Sequence, residues 1–116
     1  SVPAGSLLHI AYFSTNAAGV IFSMDPAGKL ERLHPDPDKT PTAKRMALVP
    51  YEKMYLREDY ELSAKPGRET IYFVSGPSNL NFEEVWAGAV RLAVKPELRG
   101  RAFSNYLTSW FDILRK

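Results

Sequence analysis

The chain contains no cysteine. That excludes disulfides, thiolate nucleophiles and the cysteine-based zinc or iron sites. It leaves the compartment open, because an oxidising location permits disulfides without requiring them. Histidine is scarce too, with two in 116 residues. Neither sign of charge dominates: 15 Lys and Arg stand against 13 Asp and Glu, for a net charge of +2. A dedicated nucleic-acid binder carries a denser basic footprint, so no nucleic-acid partner is expected. No apolar run reaches the ~20 residues that cross a bilayer as a helix. No secretion signal is visible, though a sequence starting at a mature N-terminus would hide one.

What is present is ordinary core-forming material. The apolar fraction is 45% and the charged fraction 24%, the balance of a globular protein. A chain of this size buries roughly two-thirds of the surface its unfolded form exposes. A single domain spanning residues 1–116 is therefore expected.

Residues 7–14 read L-L-H-I-A-Y-F-S, apolar on both alternating faces. They predict a strand buried on both sides, with a short buried helix as the alternative. Turn formers at 15–19 separate it from a second strand at Val20-Ile21-Phe22. Asp25-Pro26-Ala27-Gly28 predicts a type I turn, because Asp bonds the backbone that follows, Pro presets φ and Gly suits the fourth position. The chain then returns over 29–34, where Leu30 and Leu33 lie three apart; a bulge or a short strand accounts for that spacing. Residues 35–45, with Pro35, Pro37 and Pro41, predict an exposed loop, since Pro has no ladder donor. Residues 46–49 form a short strand closed by Pro50. In 59–65, Tyr60, Leu62 and Ala64 alternate with Glu61, Ser63 and Lys65, a half-buried strand. Lys65-Pro66-Gly67-Arg68 then predicts a type II turn into a partner strand at 69–75.

Past Gly76 the period changes. Asn81 with Glu84 resembles a capping box, and Phe82, Val85, Trp86, Ala89, Val90 and Ala93 recur at helical spacing. A helix over about 82–95, ended by Pro96, follows. Leu98, Ala102, Tyr106, Trp110 and Ile113 predict a second helix over about 98–114. The expected fold class is mainly β, a β-rich α+β arrangement: an antiparallel sandwich-like domain with strands about 7–75 and two C-terminal helices.

No set of residues amounts to a catalytic or metal site. His9 in an apolar strand and His34 before a proline loop read as one core and one surface histidine, since zinc needs three or four ligands. Asp36 and Asp38 read as a solvated loop rather than a calcium site, which needs six to eight oxygens. Ser75-Gly76-Pro77-Ser78 lacks the G-x-S-x-G arrangement of a serine elbow and reads as a turn. Glu83 and Glu84 diverge on a helix and suit the positive end of its dipole. Arg91, Lys95, Arg99 and Arg101 read as a solvated face. Phe103, Tyr106, Trp110 and Phe111 form a broad aromatic face, by default core, and a partner or dimer surface where it is left exposed.

Several segments stand together in order: Ala11-Tyr12-Phe13, then Met24-Asp25-Pro26-Ala27-Gly28-Lys29-Leu30, Leu33-His34-Pro35, and Leu48-Val49-Pro50. Tyr60-Glu61-Leu62 through Lys65-Pro66-Gly67-Arg68-Glu69 completes the set. In that order and spacing the chain resembles the bacterial family called domain of unknown function 4384, over roughly residues 7–77. Where that family usually has Phe or Tyr before the proline, His34 stands here, and the region from Leu80 onward lies outside the pattern. The resemblance implies an accessory domain of bacterial envelope proteins, periplasmic, without known catalytic residues. It supplies no residue roles to carry over.

The expectation from sequence is a non-catalytic interaction module that binds a protein partner or a second copy of itself. No catalytic, cofactor-binding or metal-binding residues are assigned, and no cofactor or small-molecule substrate is expected. Two alternatives stay open. One is a hydrolase using Ser14, Ser75 or Ser78 with His9 or His34, its site assembled only in three dimensions. The other is an anion- or nucleic-acid-binding domain using Arg91, Arg99 and Arg101.

Overall fold

A strand that carries apolar side chains on both faces must be covered on both faces. Two segments meet that description, A-G-V-I-F-S-M and G-R-E-T-I-Y-F-V-S-G, and they form the middle of the main sheet. The computed structural model describes residues 7–25, 27–35, 45–55, 60–61, 67–99, 102–103 and 106–115. In order, the strands are β1 (Leu7–Leu8), β2 (Ala11–Phe13), β3 (Ala18–Met24), β4 (Leu30–His34), β5 (Met46–Ala47), β6 (Lys53–Tyr55), β7 (Tyr60–Glu61) and β8 (Gly67–Gly76). Helix α1 (Phe82–Val94), a short 3-10 turn (Pro96–Leu98) and strand β9 (Leu107–Arg115) complete the chain.

The main sheet is antiparallel, ordered β4-β3-β8-β9, with β5 extending the β4 side of β3. Two short ribbons, β1 with β7 and β2 with β6, stand apart from it. Alternation along β3 and β8 sends their side chains to two clusters. Val20, Phe22, Tyr72 and Val74 meet Val85, Ala89 and Leu92 of α1, together with Leu80, Ala102 and Phe103. Ile21, Ile71 and Ile113 point the other way, where Ile10 and Tyr12 cover them. The result is three layers: helix, sheet and a two-stranded ribbon. Phe22 is the joint on the helix side. It stacks on Tyr72 at 5.0 Å, meets Trp86 edge-on at 6.0 Å and lies 5.9 Å from Phe103.

Local chemistry sets the junctions. Asp25 Oδ1 accepts from the N–H groups of Ala27 (2.9 Å) and Lys29 (2.8 Å), and the Gly28 N–H reaches the Asp25 carbonyl at 3.0 Å. That is the turn expected at this point, and it makes β3–β4 a hairpin. The spacing of Leu30 and Leu33 is met by a bulge: Phe22 pairs with Arg32 and Ile21 with His34, so Leu33 is the extra residue. Asn81 caps α1 through its side chain, which accepts from the Glu83 N–H at 2.9 Å. Glu83 and Glu84 lie in the first turn, and Pro96 follows the end of the helix as expected.

The antiparallel, strand-rich fold matches the expectation; four of its details do not. The second helix, expected over 98–114, is not what forms: among the described residues only the Pro96–Leu98 turn is helical there, and residues 107–115 are strand β9. The predicted stripe runs through 102, 106 and 110, and steps of four fall on one face of a strand as well as one face of a helix. Local periodicity therefore does not choose between them. The nine paired positions along β8 do. The hairpin expected between 59–65 and 69–75 is replaced as well. β7 pairs with β1, while β8 has β3 and β9 as its neighbours. A strand apolar on both faces draws long apolar partners, and Glu61, Ser63 and Lys65 do not supply one. The single strand expected over 7–14 is divided into β1 and β2. The histidines exchange places: His9 is exposed, its ring 5.6 Å from that of Tyr55, and His34 is half-buried opposite Ile21. Residues 36–44, including Asp36 and Asp38, lie outside the described residues, as do 62–66 of the expected strand and turn.

Gly88 sets how closely the helix packs. An added Cβ there would lie 2.7 Å from the Ala102 carbonyl oxygen and 2.8 Å from the Phe103 ring. Alanine is favoured over glycine by about 1 kcal/mol in an open helix, so the usual sign is reversed here. Gly88→Ala is expected to destabilise the fold by about 1–3 kcal/mol, the cost of overpacking. Urea denaturation checks this, and a stabilised variant would contradict the close approach.

Candidate interaction surface

The two outer strands of the sheet are built differently. β4 is short, bulged and charged, with Glu31 and Arg32 in its middle. These are the devices by which a sheet edge resists unwanted pairing. β9 is neither short nor bulged, and its one mid-strand charge is Asp112. It runs nine residues, L-T-S-W-F-D-I-L-R, in unbroken register with β8 and with no Pro, Gly or Lys. Leu107, Trp110 and Phe111 remain 62%, 38% and 44% exposed. Among the described residues nothing pairs with the outer edge of β9.

The aromatic residues grouped in the sequence are distributed by this geometry. Phe103 is buried against the helix, and Tyr106 is half-buried, its hydroxyl donating to Glu84 at 2.9 Å. Burial, then this hydrogen bond, holds the Tyr106 phenol above its ordinary value. Trp110 and Phe111, adjacent on a strand, lie on opposite faces of the sheet. Trp110 pairs with Tyr72 on the helix side, and Phe111 with Ile71 on the other. Beside Phe111 is a groove of about 190 Å³ whose walls include Ile10, Tyr12, Ile71, Phe73 and Ser109. Apolar side chains therefore flank the open edge on both faces.

A polar cluster holds β9 in place from the helix side. Arg99, just after the 3-10 turn, lays its guanidinium over Trp110 at 5.2 Å and Tyr72 at 5.8 Å. It donates to Asp112 at 2.9 and 3.4 Å, to the Thr70 hydroxyl at 3.1 Å and to the Tyr72 hydroxyl at 3.3 Å. The Thr70 hydroxyl donates to Asp112 at 2.6 Å. That bond, ahead of the Arg99 guanidinium, holds the Asp112 carboxyl below the usual carboxylate range. Burial works to lower the Arg99 value, and the bonds to Tyr72 and Asp112 more than offset it, so Arg99 sits above its ordinary value. Sequence alone places Arg99 on a solvated face. Its role arises from a strand that local periodicity does not reveal. An open cleft of about 560 Å³ borders the cluster, with Arg68, Arg99 and Thr70 over Tyr72, Leu92 and Met24.

Among the other sequence candidates, Ser14, Ser75 and Arg91 make structural contacts. Ser14 Oγ accepts from the Asn16 N–H and Ser75 Oγ from Asn16 Nδ2, both at 3.0 Å, so Asn16 ties the two serines across the chain. Ser78 is exposed in the turn before α1. Arg91 donates to the Ala102 carbonyl at 3.4 Å, Lys95 ends the helix, and Arg101 lies outside the described residues. Among the described residues, no helix is long and apolar enough to cross a membrane.

The Asp112 cluster carries a pH signature. A carboxyl whose folded value is lowered adds stability that is present above its unfolded value, about 3.9, and lost as pH falls through the folded one. Asp112→Asn is therefore expected to lower stability at pH 7, with a gap to the native chain that narrows as pH falls below about 3.9. Denaturant midpoints measured from neutral pH downward check this, and a gap that does not narrow on acidification would refute it.

Set against known proteins, the chain matches no family model, no curated protein and no solved structure.

Proposed function

We propose that this domain is a non-catalytic interaction module that takes up an extended polypeptide strand, from a protein partner or a second copy, along the outer edge of β9. The observation that carries this reading is the long, unblunted edge with Leu107, Trp110 and Phe111 exposed beside it. Strand addition needs two things: free backbone donors and acceptors in a row, and apolar sites that take alternate side chains. The β9 edge offers the first, and the groove beside Phe111 offers the second. A non-catalytic role is supported by Ser14 and Ser75, whose hydroxyl oxygens each accept a hydrogen bond from Asn16. A dedicated anion site fits less well, since Arg99 is held by Asp112 and Arg91 reaches a backbone carbonyl. The bacterial envelope setting belongs to this proposal and rests on the likeness to domain of unknown function 4384; recovery of the protein with the cytosol on cell fractionation would remove it.

Displayed nine-residue peptides selected on the domain test the module directly. Binders are expected to be enriched in alternating apolar sequences. Their affinity should fall about tenfold or more, ~1.4 kcal/mol, when Phe111 is replaced by Lys. The substitution is at an exposed site, so the far-ultraviolet dichroism should not change. Failure to enrich any binder, or binders indifferent to Phe111→Lys, would defeat the reading.

A further inference from the structure

We infer that the strand taken up by β9 is β9 of a second copy, paired antiparallel about a two-fold axis through Phe111; this rests on the module reading above. Isologous association requires a surface that complements itself, and β9 has a midpoint at which it does. Phe111 is the central residue of Leu107–Arg115. An axis there pairs every residue of the strand, and any other centre leaves one end of each copy without a partner. An axis on a residue also keeps side chains on their own faces, so the helix-side layers of the two copies continue into each other. The combined sheet would then run β4-β3-β8-β9-β9-β8-β3-β4.

Charge does not oppose the same register. With the axis at Phe111, the partner's Asp112 lies directly across from Trp110, the ring over which Arg99 stacks at 5.2 Å. Arg99 already holds its own Asp112 at 2.9 Å. The same register makes the two Asp112 residues diagonal neighbours on one face, about 7–8 Å apart; each is held by the Arg99 of its own copy, so no unpaired carboxylate stands at the middle of the seam. On the other face, Phe111 meets the partner's Phe111, and aromatic cross-strand pairs are among the favourable ones. The exposed apolar side chains on both faces of the edge are covered by one operation.

The absence of cysteine makes the register testable. Phe111→Cys puts a single thiol on the axis, where opposed Cβ atoms in an antiparallel ladder stand about 4.5–5.5 Å apart, close to disulfide reach. Ser109→Cys faces the partner's Ile113, and the two thiols would be about 13 Å apart at ~3.3 Å per residue. Under mild oxidation Phe111→Cys is expected to give a covalent dimer and Ser109→Cys to remain a single chain. Sedimentation of the native chain should show its mass rising from one copy to two across a dilution series. Phe111→Lys, which sets two lysines against each other, should weaken that association about tenfold or more. A native chain that stays single at every concentration, or equal cross-linking of the two cysteine variants, would overturn the inference. Should the native chain stay single while selected peptides still bind in a Phe111-dependent way, the dimer falls and the module stands. Loss of both would remove both.

Discussion

Strand β8 is the constraint on which the other elements depend. It is apolar on both faces, and both of its edges are occupied, by β3 over Thr70–Gly76 and by β9 over Gly67–Ser75. A strand in that position must have every backbone group answered and every face covered. Its helix-side residues, Tyr72 and Val74, need α1 and Phe103 above them. Its opposite residues, Ile71 and Phe73, need the β2 ribbon, and Tyr12 meets Phe73 at 5.5 Å between ring centres. Two of its buried polar groups, Thr70 and Ser75, find partners: Asp112 and Arg99 for the first, Asn16 for the second. Seen from β8, the C-terminal segment becomes a strand because the central strand has an edge to satisfy.

That demand explains which parts of the architecture the sequence declares. The β3–β4 turn is legible because its cause is local: Asp25 bonds the two N–H groups that follow it, and Gly28 adopts a φ of +84°, open to glycine. The bulge at Leu33 and the Asn81 cap are local as well, and both are where the residues place them. β9 is not local. Thr108, Trp110, Phe111 and Ile113 favour strands, yet the spacing of 102, 106 and 110 fits either period, and what decides is a ladder to residues some forty positions earlier. The β7–β8 hairpin fails for the complementary reason. Its turn residues were persuasive, but turn chemistry cannot tell a strand which of several partners covers more apolar surface.

The candidate site was hidden by the same omission. Read along a helix, Arg99 and Asp112 are two charges thirteen positions apart, one on each of two faces exposed to solvent. Once residues 107–115 are a strand, Asp112 comes to lie beside Thr70, and the chain leaving α1 carries Arg99 across both. The aromatic surface was legible as composition but not as geometry. Trp110 and Phe111 were read as neighbours on one face, whereas the pleat sends them to opposite sides of the sheet. The exposed remainder is therefore an edge with apolar residues on both faces, not a flat apolar patch.

The difference between the two edges is what supports the proposed use of β9. Both outer strands meet the same hazard, since an open ladder templates further pairing. On β4 the sequence accepts a bulge and two mid-strand charges, losing regular hydrogen bonds to keep that edge closed to others. On β9 the single mid-strand charge, Asp112, is turned onto the helix-side face and held by Thr70 and Arg99. The cluster therefore offsets the one mid-strand charge of β9 that would repel an approaching strand, and it ties that strand to β8 and to the chain leaving α1. Holding an edge in one arrangement before association lowers the entropy lost when a strand is added, which is what the proposed pairing at β9 requires.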